Sequence, residues 1–318
     1  MKFQMIDNIV VYGDPVDEGA LSRMRTCLTD ERALKGVLCG DHHKGYNQPV
    51  GGVVAYEGAV SISGVGYDIG CGNRASMLDI PAADVRSNIK AIMDDIFAKL
   101  EFGVGRRNGT VVEHSLFDDD AWSVGVIKDL KDKARGQLGT VGSGNHYVDL
   151  FADELDRCWV GVHFGSRGLG HGTATRFLNA AGAKNGMDDP PAVVGADTDL
   201  CQDYLTCMEL AGRYAYAGRD WVCEEVARML GATVLATVHN HHNFAWKETH
   251  GSKEVYVVRK GATPAFPGQQ GFVGGSMGDN AVIIEGVASE ASAQSPVLDR
   301  PWSGPGDVPY AGGREDGL

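Results

Sequence analysis

The stretch "GVGYDIGCGN", residues 64–73, places Asp68 and Cys71 three positions apart among glycines. A glycine-rich backbone gives up more freedom on ordering than any other, so a loop of this kind needs a compensating interaction. Asp-x-x-Cys supplies one hard and one soft metal ligand from a single turn, and glycines let the backbone crowd an ion. A tight turn with an incidental acid and a buried thiol has the same appearance. Three histidines occur in comparable settings. His146 follows a Gly/Ser loop in "GTVGSGNHYVDL", His163 ends the β-like run of "WVGVHFGSRGLGHG", and His242 lies in the β-like "TVHNHHNFAW". A single histidine is more often a surface or satisfied core residue than a ligand. Five donors together are one too many for a closed tetrahedral zinc site and suit two metals sharing the thiolate. Mixed nitrogen, oxygen and sulfur ligands fit manganese, zinc, iron or cobalt, and spacing does not choose among them.

These donors need strands that end at loops. Glycine gathers at 64–72, 103–109, 136–144, 161–172 and 268–278, between segments with clear periodicity. Val85, Ile89, Ile92, Ile96 and Leu100 recur at helical spacing and predict an amphipathic helix over 81–100. Residues 198–230 predict a longer, mostly buried helix, broken near Gly212 or Gly218. "CWVGVHF", "KEVYVVR" and "NAVIIEG" read as strands, and the run "AVIIEGVA" as a buried one. The mixed order predicts an α+β single domain, with mixed sheets flanked by helices and Gly loops at strand ends.

Composition narrows the function classes. The chain has 318 residues, no charged-then-apolar leader and no apolar run long enough for a membrane span, so a soluble, cytoplasmic protein without membrane partners is expected. Its 7 cysteines are odd in number and scattered, with no CxxC pair, which predicts reduced thiols rather than disulfides or a zinc ribbon. The formal charge of -13 excludes a general nucleic-acid coat and leaves room only for a focused basic site on an acidic body.

Six motifs, "GVGYDIGCGNR", "GTVGSGNHYVDL", "VHFGSRGLGHG", "HHNFAWKE", "VYVVRKGATPAFPG" and "GSMGDNAVIIEG", occur in an order that resembles the RtcB family of RNA ligases, and "GDHHKGYNQPVGGV" resembles a further family segment. The resemblance runs from about residue 37 to 286 and implies a GTP- and manganese-dependent ligase. Such an enzyme joins RNA ends bearing a 2',3'-cyclic phosphate or 3'-phosphate to a 5'-hydroxyl, through a guanylyl-histidine. It implies that Cys71 bridges two manganese ions, with Asp68 and His146 completing one shell and His163 and His242 the other. "HNHHN" also offers His239 for the last position; the continuation "NFAWKE" favours His242. By the same resemblance Asn145, His146, Tyr147, Asp149 and Ser276 contact the nucleotide, with Asp149 standing where the family usually has Glu. Arg167 contacts RNA phosphate, Arg106 and Arg107 in "GVGRRNG" are basic candidates beside it, and Asp41 orients a ligand from behind.

The tail departs from the family. RtcB ligases carry the guanylylated histidine in a segment like "HGAGRxMSRTQA", yet no histidine follows His250 and the chain ends "LDRPWSGPGDVPYAGGREDGL". Reading the codons one nucleotide into Pro301 permits that whole motif in order, from His to Ala. A frameshift near 298–301 is therefore expected, in the gene or its sequencing, with residues 1–297 forming the ligase domain and 298–318 an aberrant, disordered tail. The nucleophile expected after Leu298 is absent. Two other readings stay open: a dinuclear metallo-phosphoesterase, and an RNA-end-binding relative without the nucleophile.

Overall fold

The computed structural model describes residues 3–183, 189–275 and 279–287. Strands β1 (Phe3–Ile6) and β2 (Ile9–Tyr12) lead into helix α1 (Glu18–Cys27), then β3 (Ala33–His43), β4 (Val50–Glu57) and β5 (Ala59–Ser61). A one-turn helix α2 (Ile62–Val65) precedes the metal-loop candidate, which feeds β6 (Gly72–Pro81). Helices α3 (Ala82–Arg86), α4 (Ile89–Lys99) and α5 (Lys131–Gln137) come next, followed by β7 (Tyr147–Ala152), β8 (Arg157–Phe164) and α6 (Arg167–Ala180). Strand β9 (Val193–Gly195) and the long α7 (Asp199–Met229) lead to β10 (Val234–His241), β11 (Asn243–His250), β12 (Lys253–Lys260), β13 (Gln270–Val273) and β14 (Val282–Glu285).

The strands form two main sheets, a six-stranded one ordered β1-β2-β3-β4-β12-β11 and a four-stranded one ordered β10-β6-β8-β7. Only β2–β3 is parallel in the larger sheet, and the four-stranded sheet is antiparallel throughout. This is the α+β arrangement expected from the mixed element order. Among the described residues no helix is long and apolar enough to cross a membrane.

Helix α7 spans both cores. Its first half packs Tyr204, Leu210 and Tyr214 with Leu38, Val54 and Tyr56 of the larger sheet and Phe177 of α6. Its second half packs Val222 and Val226 against Val148, Val160 and Val162 of the smaller sheet, with Val85 and Ile96 on the same cluster. The expected break is not there: α7 runs unbroken for 31 residues. Its glycines serve close approach instead. A Cβ on Gly212 would stand 2.9 Å from the Phe244 ring, and one on Gly218 would stand 3.2 Å from Phe164.

Two other expectations are corrected. The helix predicted over 81–100 is interrupted at Ser87 and Asn88, where Ser87 Oγ turns back to donate to the Asp84 carbonyl. The apolar stripe survives the break, because Val85, Ile96 and Leu100 are buried on one side. In "AVIIEGVA" the strand is a surface ribbon with β13, and only Ile284 of β14 is buried.

Candidate metal centre

Two strand ends and a turn meet at the site. The turn 66–71 closes with Cys71 N–H donating to the Asp68 carbonyl at 3.0 Å, which puts the carboxylate and thiol on one side. Strand β8 delivers His163 beside Asn73 of β6 and Tyr147 of β7. His242 is the single residue between β10 and β11, where the chain leaves one sheet for the other. Its N–H donates to the Cys71 carbonyl at 2.8 Å, and its own carbonyl accepts from Ala262 at 3.1 Å. The joint is thus pinned to the metal loop by backbone alone.

The side chains form two arms that share the sulfur. Cys71 Sγ lies 3.8 Å from His146 Nε2 and 3.2 Å from His163 Nε2. His146 Nε2 lies 2.9 Å from Asp68 Oδ2, while the His163 and His242 rings are 4.9 Å apart. The ligand atoms of Cys71, His146 and His163 all fall within 4.8 Å of one another, which is ligand-set geometry for a metal. Gly165 is required here, since any Cβ would strike the Asp68 carboxylate.

Electrostatics match the metal-free state of such a set. Burial would raise the Asp68 carboxyl, but the hydrogen bond and charge of His146 hold it below its ordinary value. Burial and the Asp68 charge push the Cys71 thiol well up. Burial, then the neighbouring His242 and His146, keep His163 well below its ordinary value, and burial followed by Arg219 brings His242 down to about 3. His163 and His242 therefore offer neutral imidazoles, and the thiol holds a proton that a cation must displace. Metal affinity is expected to rise with pH, by about tenfold per unit for the one proton released below the thiol pKa. Titration calorimetry with manganese in buffers of different ionisation enthalpy checks this; affinity flat from pH 6 to 9 with no proton release would contradict it.

His239 and His241 are separated from these arms. His239 accepts from Arg219 Nε at 2.8 Å and pairs with Asp220, and His241 packs on Tyr216 and Phe244. Both sit on the α7 side of β10, as the period-2 alternation of a strand requires. Of the two candidates, His242 is the one that reaches His163.

The remaining residues group around this centre. Tyr147 tilts against His163 at 5.6 Å, and its buried Oη has no hydrogen-bond partner among the described residues. Tyr147 and Asp149 share one face of β7, and a Cβ on Gly274 would stand 2.7 Å from Tyr147 Cζ, so the segment leaving β13 passes over that face. Asn145 is exposed just before His146. Ser276 and the tail 298–318, with Leu298, lie outside the described residues. Arg167 opens α6 with φ +55° and reaches Thr140 Oγ1, His146 Nδ1 at 3.4 Å, and the Gly103 carbonyl at 3.1 Å. Arg106 and Arg107 are exposed, and Asp41 is exposed on β3, where its carbonyl lies 3.0 Å from His43 Nδ1 and, among the described residues, no hydrogen bond joins it to His146, His163 or His242.

Arg219 is the participant that sequence reasoning missed. It is fully buried and donates through Nη1 to the Gly70 carbonyl at 2.9 Å and the Phe164 carbonyl at 2.5 Å, each adjoining a donor residue. The signal was the Arg219–Asp220 pair in the otherwise uncharged "AYAGRDWVC" of α7.

A model of the family described as tRNA-splicing ligase RtcB matches residues 31–296. The chain belongs to the RtcB family of RNA ligases. An RNA-splicing ligase RtcB1 of Escherichia coli is 31% identical over 285 residues, covering 79% of this chain and 70% of that protein. The tRNA-splicing ligases RtcB of Thermococcus kodakarensis and Pyrobaculum aerophilum are 32% and 31% identical, covering 85% and 87% of this chain and 75% of each relative. Within this member of the family, Cys71, His146 and His163 form a His/Cys cluster able to coordinate a metal ion.

Proposed function

We propose that this chain derives from a GTP- and manganese-dependent RNA ligase of RNA repair or tRNA splicing. It joins 2',3'-cyclic-phosphate or 3'-phosphate RNA ends to 5'-hydroxyl ends through a guanylyl-histidine. The observation that carries the reading is the convergence of two donor arms on Cys71 Sγ. Asp68 and His146 would hold one manganese ion and His163 and His242 the other, with the Cys71 thiolate between them. Bound there, the ions would neutralise and orient a triphosphate and polarise the phosphorus under attack.

The chain's own residues do the rest. By the family resemblance Asn145, His146, Tyr147, Asp149 and Ser276 contact the nucleotide, and Tyr147 and Asp149 share one face of β7. Tyr147 Oη, buried without a partner among the described residues, suits a ligand oxygen. Arg167, Arg106 and Arg107 receive the RNA phosphates, and Arg167 also holds the 140–142 loop against His146. Seven free thiols fit the reducing cytoplasm.

One sequence fact favours a narrower reading for the chain as given. No histidine follows His250, and the family match ends at residue 296, next to the proposed frameshift. As given, the chain binds metal and RNA ends and lacks the nucleophile. Labelled GTP with manganese, followed by denaturation, separates the readings. Acid-labile bound label marks the complete ligase, and phosphate release alone marks a metallo-phosphoesterase. RNA-end binding with neither marks the chain without its nucleophile.

Arg167→Ala is expected to weaken binding of a 3'-phosphorylated RNA by about tenfold or more, a charge-assisted bond's worth, and to weaken manganese binding less. Filter binding and metal titration compare the two. Equal losses would make the guanidinium a loop clamp alone.

A further inference from the structure

Helix α4 turns Ile96 and Leu100 into the core, which leaves Phe97 outward and 73% exposed. Phe102, just past the helix, stacks on it with centroids 5.7 Å apart and planes at 19°. A near-parallel pair leaves one flat ring face open to solvent. The pair is not adrift on the surface. Phe102 bridges to Val141, and Gly103 N–H donates to the Val141 and Gly142 carbonyls. The Gly103 carbonyl accepts from Arg167, whose Nη1 abuts His146. Two residues therefore link the stacked rings to the metal centre.

The charge beside the rings is also informative. Beyond Gly103 the loop exposes Val104 and then Arg106 and Arg107, and neither arginine has a carboxylate partner among the described residues. On the helix side, Asp94 is paired with Lys90 at 2.6 Å, while Asp95 and Glu101 remain acidic. A phosphate chain is thus steered to the arginine side of the rings. A flat aromatic face with the Arg106 guanidinium lying over the adjoining Gly103, on a body of charge -13, has the chemistry of a single-strand stacking site.

We propose that Phe97 and Phe102 form a stacking platform for a base near the 3' end of single-stranded RNA, whose terminal phosphate lies at the metal centre. This rests on the RNA-end reading above. Stacking needs no hydrogen-bond readout, so the platform accepts any base and strengthens the grip on the strand without specifying sequence.

The test uses the full manganese-loaded chain and a labelled ten-nucleotide RNA with a 3'-phosphate. Phe97→Ala is expected to weaken binding about tenfold with metal content unchanged, and Phe97→Trp to restore it. Walking one abasic site along the RNA is expected to weaken wild-type binding at one position and to leave Phe97→Ala indifferent there. Wild type that binds RNA as tightly as Phe97→Ala, with no abasic effect, overturns the platform and leaves the RNA-end reading standing; the ring face then belongs to a protein partner. Wild type that holds manganese and binds no RNA end overturns both.

Discussion

Cys71→Ala is expected to abolish binding of both proposed metal ions. The sulfur lies within reach of both arms, 3.2 Å from His163 and 3.8 Å from His146. Without it each arm keeps one two-ligand remnant, Asp68 with His146 and His163 with His242. Changes to groups merely supporting a ligand cost about 10–100-fold in affinity, and losing a shared ligand exceeds that for both ions. Elemental analysis after dialysis reads the result directly. Cys158→Ala is the control, because that thiol is buried in the apolar cluster under β8. Wild-type metal content in Cys71→Ala would rule out the thiolate bridge.

The second large effect is expected at the tail. The chain ending at Leu318 should take up manganese and show no guanylylation above background. The same gene with the reading frame restored from codon 301 should label to near one GMP per chain. The reason is chemical: a phosphoramidate needs an imidazole nucleophile, and none exists after His250. Of the ten histidines present, His146 and His163 lie in the candidate metal cluster, and His239 and His241 are held by Arg219 and Tyr216. Resequencing codons 295–318 separates a mutated gene from a misread one. An unshifted gene whose product guanylylates a histidine in this chain would sink the frameshift.

Much of the site was legible before any coordinates, for an identifiable reason. Glycine loops at strand ends have few other uses at such density, so "GVGYDIGCGN" and "GSGNHYV" marked the positions where Asp68, Cys71 and His146 emerge. The strand "CWVGVHF" carried its own period, and His163 is its penultimate residue. Misreadings came where local pattern and packing diverge. Gly212 and Gly218 read as helix breakers, yet they let α7 approach Phe244 and Phe164, a demand set by residues far along the chain. The split at Ser87–Asn88 was masked because the apolar stripe continues in register across it.

The sequence by itself determined the donor types, their delivery from strand ends, the α+β class and the family, because each is written in local periodicity or in ordered motifs. Only the tertiary structure decided which histidine of "HNHHN" stands beside His163. In an extended strand alternate side chains point apart, so one residue of register settles it. That register comes from pairing β10 with β6 and from the His242 N–H bonded to the Cys71 carbonyl, contacts between segments about 170 residues apart. The place of Arg219 was likewise decided only in three dimensions. A guanidinium is buried at full cost unless carbonyls surround it, and the Gly70 and Phe164 carbonyls that accept from it meet only when the metal loop, β8 and α7 are packed together.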